Sequence, residues 1–491
     1  MFGYTPTAAD YNIINSSLLS GVMPESLKVA QVTPVVKIAD CKRKNELGNY
    51  RPISNLKFIS KTIERVSALQ MNEYLVKNNL YSPNQSAYRK HHSTETALIR
   101  IQNDILLAVD QHLEVALILL DFSAAFDTLS HQALIGRLRE RYGIKGTALK
   151  WYESYLKHRY QTVVINGEKS DSMCLDDGVP QGSVNGPLLF TMFSAPIGDV
   201  IKSHNINFMT YADDTQLYVL FHPSERDFVI PRLELCLRDI KTWTSLNRLV
   251  LNDSKTKVIH ISSKFMKTPP FPKITMGSSE IEISRVEKNL GVKFDYSLDM
   301  KDHVKSVVQA ASFAIHRIGK LRRYLDMTSV VRLVHAFVSS RLDSCNALLY
   351  GLQDFDIGKL QRVQNSAARL VTRCGRREHM KPVLRDLHWL PVKQRIVFKI
   401  AMLTFKALHG LAPTYLNDLI EQHKPRTRRA LRSASEVFLS RPKITNTSFY
   451  GDRAFAVSSP MVWNNLPSNL RAITNINSFK KDLKTHLFNS C

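Results

Sequence analysis

Tyr211-Ala212-Asp213-Asp214 stands between two apolar stretches, with Ile206, Phe208 and Met209 before it and Leu217, Tyr218, Val219, Leu220 and Phe221 after it. Two short β-rich runs around a tight polar break read as a hairpin. Its turn carries two adjacent acids. Alone, such a pair is an ordinary solvated turn. Two further stretches change that reading. Val115-Ala116-Leu117-Ile118-Leu119-Leu120 is an apolar run of strand length, and it ends on Asp121, 92 residues before Asp213. Between the acids, Gly178-Val179-Pro180-Gln181-Gly182-Ser183 opens a segment that continues Gly186-Pro187-Leu188-Leu189-Phe190. It reads as a glycine-rich polar turn entering a helix.

One acid at the end of a buried strand and two at a hairpin tip suit a two-metal phosphoryl-transfer site. There, two divalent ions about 3.5–4 Å apart clamp the attacking and leaving oxygens. Carboxylates from separate strands must converge to bridge both ions. Magnesium takes few protein carboxylates and completes its octahedron with waters and substrate phosphates. Asp121, Asp213 and Asp214 meet that need.

Asp121-Phe122-Ser123-Ala124-Ala125-Phe126-Asp127 resembles motif A of reverse transcriptases. Gly178 to Phe190 is similar to motif B, and Tyr211 to Asp214 to motif C, in the family's order and spacing. The wording of motif A, with Ala-Phe-Asp-Thr and then His131, resembles non-LTR (LINE) retrotransposons, and within those the jockey-like branch. The resemblance implies an α+β right-hand polymerase of fingers, palm and thumb, followed by an α-helical basic C-terminal region. It implies an RNA template, a DNA primer and dNTPs as partners, and two Mg2+ ions as cofactors, with Mn2+ as an alternative. Asp121, Asp213 and Asp214 are the expected catalytic and metal-binding residues.

Other segments match the same family. Asn49-Tyr50-Arg51-Pro52-Ile53-Ser54 is similar to its first fingers motif, which implies that Arg51 and Lys37 face the triphosphate of the incoming nucleotide. Arginine offers a planar fork of donors suited to phosphate oxygens; the plain alternative is an exposed basic loop. Asn84-Gln85-Ser86-Ala87-Tyr88-Arg89 resembles the second fingers motif, with Ala87-Tyr88 where the family usually has Gly-Phe. Arg89 is open to two readings, a nucleic-acid contact or a loop charge. Phe126 occupies the family's place for a bulky side chain under the sugar, and Gln181 the place that lies against the nucleotide. Leu251 to Lys257 resembles motif D, so Lys255 is either the acid that protonates the leaving pyrophosphate or a surface lysine. Asn289 to Asp295 is similar to motif E, which holds the primer end.

At 491 residues, with 44% apolar and 22% charged residues, the chain is long enough for two to four packed domains. No apolar run approaches the roughly 20 residues of a membrane span. The N-terminus lacks a signal pattern. An intracellular protein is expected, nuclear with a cytoplasmic ribonucleoprotein stage by the family resemblance. Six cysteines stand at 41, 174, 236, 345, 374 and 491, none in a C-x-x-C pair, so reduced thiols are expected. Net charge is +24, and +20 of it lies in residues 301–491. Charge concentrated in this way points to a polyanionic partner.

The expected division is an N-terminal remnant over 1–30, fingers and palm over 31–300, a helical thumb over 301–375 and a basic C-terminal region over 376–491. Jockey-like products normally carry an endonuclease domain ahead of this point, so a missing endonuclease is expected. Helices are predicted over 58–75, 225–249, 302–324, 328–349 and 356–374 from three- and four-residue apolar spacing. Pro24 to Ala30 reads as a short helical piece and Val32 to Lys37 as a strand. Lys424 to Arg432 reads as a basic linker or arm. The C-terminal region is expected to add nucleic-acid affinity and little chemistry, so that removing residues 376–491 would spare single-nucleotide addition.

Competing readings are weaker. Viral RNA-dependent RNA polymerases usually place Gly before the Asp pair and need room for a 2′-hydroxyl, which Phe126 denies. A retroviral-type enzyme would add an acidic RNase H cluster, and a telomerase a long N-terminal RNA-binding region. A decayed or domesticated copy that only binds RNA is the alternative from a different class, and the intact Asp121, Gln181, Asp213 and Asp214 argue against decay at the active site.

Overall fold

The apolar run becomes the strand Glu114–Leu120 at the centre of a four-stranded antiparallel sheet. Its neighbours are Lys257–Ile261 on one side and Asp214–Phe221 on the other, with Asn207–Tyr211 at the edge beyond. The coordinates are a computed structural model that describes residues 7–36, 46, 49–123, 126–266, 269–277, 279–423, 437–442 and 449–490. Successive strand side chains point to opposite faces, and here both faces are covered. Val115 and Leu117 join one core with Met209, Tyr218, Ile259 and Ile261. Ala116, Ile118 and Leu120 join another with Phe208, Leu217, Val219 and Val258. An unbroken apolar run, not an alternating one, is what such a strand needs. Burying each large aliphatic side chain contributes roughly 1.5–3 kcal/mol.

The second core is closed by the helices Phe58–Lys77, His131–Glu140, Gly146–Leu156, Asn185–Ser194 and Arg226–Leu246. A second sheet runs Tyr50–Asn55, Val29–Val36, Tyr160–Ile165, Glu168–Lys169. Its Asn166-Gly167 turn has both residues at positive φ, +53° and +94°, the two-residue hairpin for which this dipeptide is suited. This sheet begins earlier than the sequence suggested. Only the single turn Glu25–Leu27 of the expected Pro24–Ala30 piece is helical, and Val29 already pairs in parallel with Tyr160. Lys37 and the basic stretch 424–432 lie outside the described residues.

The first core is closed by Thr94–Asp110, capped by Ser93, and by the helical remainder of the chain. Lys301–Leu321 packs on Asp354–Thr372. The predicted helix over 328–349 is Met327–Val334, a wide turn over His335–Ser339, then Ser340–Asp343 and Asn346–Leu349. Beyond it, Val392–Leu408 packs on Phe455–Asn464 and Ile476–Asn489, with Trp463, Phe405 and Phe479 wholly buried. The Phe405 and Phe479 rings stack at 4.4 Å. These last helices do not hang free of the palm. Ala456 N–H donates to Asn103 Oδ1 at 2.9 Å, and Lys399 pairs with Glu95 at 3.0 Å. No described helix is long and apolar enough to cross a membrane.

Candidate active site

Tyr211 pairs with Asp214, so Ala212 and Asp213 form a two-residue turn. Ala212 sits at φ +59° and Asp213 does not share that sign, a pattern in which glycine usually fills the first turn position. What holds alanine there is a hydrogen bond from its N–H to Gln85 Oε1 at 3.2 Å. Gln85 is buried and also accepts from Ala87 N–H at 2.8 Å. The loop around it runs beside the edge strand: Thr210 N–H donates to Asn84 O at 2.8 Å, and Ser86 N–H to Thr210 O at 2.9 Å.

On the neighbouring strand, Leu120 pairs with Thr215, which puts Asp121 and Asp214 at the same sheet end. Their charges act on each other. Burial, then Asp213, then Asp121 push the Asp214 carboxyl up to about 6. Burial and Asp121 also raise Asp213, against the pull of its own backbone N–H and of Arg51. The structure therefore brings Asp121, Asp213, Asp214 and Arg51 together. Lys255 joins them, its Nζ 3.2 Å from Asp121 Oδ2. Asn252 N–H donates to the Asp121 carbonyl at 2.9 Å, which hooks the motif D turn onto motif A.

The glycines of motif B mark close approaches. A Cβ on Gly178, at φ +82°, would lie 2.7 Å from Asp127 O and 2.8 Å from Phe126 O. Here Val179 N–H donates to Phe126 O at 2.8 Å, and His131 Nε2 donates to Gly178 O at 2.6 Å. Phe126, half-buried, packs its ring 5.3 Å from that of Phe190. A Cβ on Gly182 would meet Ser54 O at 2.6 Å, and Ser54 N–H donates to Gln181 O at 2.7 Å. This contact seats the strand carrying Arg51 on motif B. Gln181 Oε1 is buried without a hydrogen-bond partner among the described residues.

Two residues that shape the site carry no call from the sequence. One is Gln85. The other is Glu64, wholly buried, whose Oε2 accepts from Val184 N–H at 2.7 Å and Asn185 N–H at 3.1 Å. It caps the helix that motif B enters, and burial raises its carboxyl. The available signal is a polar row, Ser60, Glu64 and Ser67, at helical spacing on what proves the buried face. Arg89 is accounted for differently: its guanidinium donates to Ser82 O and Gln85 O and lies over the Tyr81 ring, holding the loop.

Among the described residues no three His, Cys, Asp or Glu side chains stand close enough to ligate one ion. The donor chemistry nonetheless fits magnesium. Three hard oxygen donors share one sheet end, and burial together with neighbouring carboxylates disfavours the ionised forms of Asp213 and Asp214, which a divalent cation would relieve.

Fingers and palm sheets with acids converging at the palm's edge make the layout of a nucleic-acid polymerase. The chain belongs to the reverse transcriptase (RNA-dependent DNA polymerase) family, whose model matches residues 42–294. It is 26% identical over 402 residues to the probable RNA-directed DNA polymerase from transposon BS of Drosophila melanogaster, covering 78% of this chain and 42% of that protein. It is also 26% identical over 351 residues to the RNA-directed DNA polymerase from mobile element jockey of the same fly, covering 70% and 37%. The jockey-like resemblance read in motif A agrees with these relatives. The chain spans about two-fifths of their length. Among solved structures, apo telomerase from Candida Tropicalis overlaps with a TM-score of 0.41 at 10% identity, covering 79% of this chain and 68% of that one.

Proposed function

We propose that this chain is the RNA-directed DNA polymerase of a jockey-like LINE retrotransposon. A primer 3′-hydroxyl attacks the α-phosphate of a dNTP paired to an RNA template, the new P–O bond forms, and pyrophosphate leaves. Asp121 and Asp213, with Asp214 beside them, would hold two Mg2+ ions, or Mn2+, which supply charge neutralisation at the attacking and leaving oxygens. Arg51 binds the triphosphate, and Lys37 is assigned beside it by motif. Gln181 lies against the nucleotide. Phe126 walls off the 2′ position of the sugar. Lys255 gives its proton to the departing pyrophosphate, which requires it to leave Asp121. Positioning and electrostatics account for most of the rate, since little covalent chemistry falls to the protein.

One observation carries this reading: Asp121 lies at the same sheet end as Asp213 and Asp214 and close enough to act on both, with the phosphate-suited Arg51 near Asp213. Nucleic acid as partner accords with the +20 charge of residues 301–491. A nuclear site of action, with a cytoplasmic ribonucleoprotein stage and an endonuclease acting alongside, belongs to the same reading. The purified chain, given poly(rA)·oligo(dT), dTTP and Mg2+, is expected to extend the primer. Tight binding of that duplex with no incorporation would instead make it an RNA-binding protein alone.

A further inference from the structure

Tyr415 belongs to the C-terminal region, more than 200 residues from the catalytic hairpin in sequence. Its side chain is buried, and it reaches the Asn84–Ser86 loop that runs beside that hairpin. Its hydroxyl lies 2.9 Å from Ser86 Oγ and 2.9 Å from Thr96 Oγ1. Thr96 spends its own proton on Ser93 O at 2.9 Å. Tyr415 thus shares a hydrogen bond with each of these hydroxyls, and Ser86 Oγ also lies 3.5 Å from Met209 Sδ on the edge strand. Ser86 in turn donates its N–H to Thr210 O on the edge strand. The adjacent Gln85 accepts from Ala212, the residue held at positive φ beside Asp213. Further contacts fix Tyr415 itself: Arg100 reaches its carbonyl at 3.5 Å, and the His92 ring packs edge-on at 5.7 Å.

We infer that Tyr415 and Gln85 are positioning residues, through which the C-terminal region sets the Ala212–Asp213 turn and so the carboxylates of the reaction. The inference rests on the polymerase reading for its kinetic part only. Two geometric facts support it. The turn has an alanine where glycine is usually required, so something outside the hairpin must hold it, and Gln85 is the side chain that does so. Gln85 is in turn flanked by a serine whose hydroxyl has Tyr415 as a partner. The chain of contacts is short and specific, and neither residue touches a reacting atom.

The test uses the full chain and three proteins: wild type, Gln85→Ala and Tyr415→Phe. Hydrogen exchange of a peptide spanning 206–216 reads the turn without reference to activity. We expect exchange there to rise at least about tenfold in Gln85→Ala and several-fold in Tyr415→Phe, with peptides of the outer thumb unchanged. In single-turnover dTTP addition on poly(rA)·oligo(dT), the rate constant should fall about 10- to 100-fold in Gln85→Ala while the dTTP concentration for half-maximal rate and the duplex affinity hold within twofold. Tyr415→Phe removes one oxygen atom and guards against misfolding of the larger change. Unchanged exchange at 206–216 in both variants overturns the inference. So does a loss of rate that merely tracks the unfolded fraction. If wild type adds no nucleotide, the polymerase reading fails, and the exchange data still decide the role of Gln85 and Tyr415.

Discussion

Phe126 is set before any nucleotide arrives. Its ring packs on Phe190, and its carbonyl is tied to Val179 across the Gly178 contact, so the side chain has little freedom to swing aside. In the proposed role, a ring fixed beneath the sugar would exclude a 2′-hydroxyl by collision. Phe126→Val should admit rNTPs at least about tenfold better while dNTP use changes little, as read by kcat/KM for UTP against dTTP. Unchanged discrimination would remove Phe126 from that role. Asp214 gives a pH signature. Its native carboxyl titrates near 6, above the usual 3.8, so the folded chain without metal binds more protons than the unfolded chain between those values. The sign follows: this group lowers folding stability as pH rises from about 3.8 through about 6. A divalent ion must displace that proton. Calorimetric Mg2+ titration should release close to half a proton from Asp214 at pH 6 and almost none at pH 8. Equal release at both would place the titration elsewhere.

At the scale of elements, the motif B helix depends on Glu64. Its carboxylate accepts two N–H groups at the helix start, which are otherwise left unpaired in a buried site. Glu64→Ala should cost about 1–3 kcal/mol by urea unfolding and raise KM for dNTP, because Gln181 and Gly182 lie in the turn that this cap seats. A stable variant with normal KM would make the cap redundant. The palm strands, the hairpin and both acid-bearing strand ends were legible because their residues share one short-range code: apolar runs closed by acids. Glu64 and Gln85 were not, since each acts on a partner more than 100 residues away and its local sequence shows only a polar residue in a helix or loop. The helix Phe58–Lys77 shows the same limit. Its Ile59, Ile63, Val66 and Leu69 spacing is helical, yet Leu69 is 63% exposed while Ser60 and Glu64 are wholly buried. Helical period identified the element; only its neighbours decided the face.

Across the whole molecule, the C-terminal region packs into the same core as the palm sheet. Composition made residues 376–491 look like a detachable basic attachment, because charge is counted without regard to packing. In the fold, Trp463, Phe479 and Tyr415 share one core with Thr94–Asp110 and the palm sheet. A chain cut after Gly375 loses the Ala456 N–H that Asn103 Oδ1 accepts and much of the covering of that helix. Each uncovered large side chain forfeits roughly 1.5–3 kcal/mol, against a total of about 5–15 kcal/mol for a typical domain. Residues 1–375 should therefore lack a cooperative thermal transition and bind a hydrophobic dye; a cooperative melt within about 5 °C of the full chain would show the region to be dispensable. Nucleic-acid affinity is better probed by charge alone. Replacing the exposed Arg317, Lys320 and Arg323 of the thumb by alanine should flatten the slope of log K against log salt by up to about 2–3. The central claim is that the three palm acids perform the chemistry, and single-turnover dTTP addition by Asp213→Asn at saturating poly(rA)·oligo(dT) tests it most directly. The account predicts wild-type duplex affinity with a rate lower by about three or more orders of magnitude; incorporation within tenfold of wild type would contradict it.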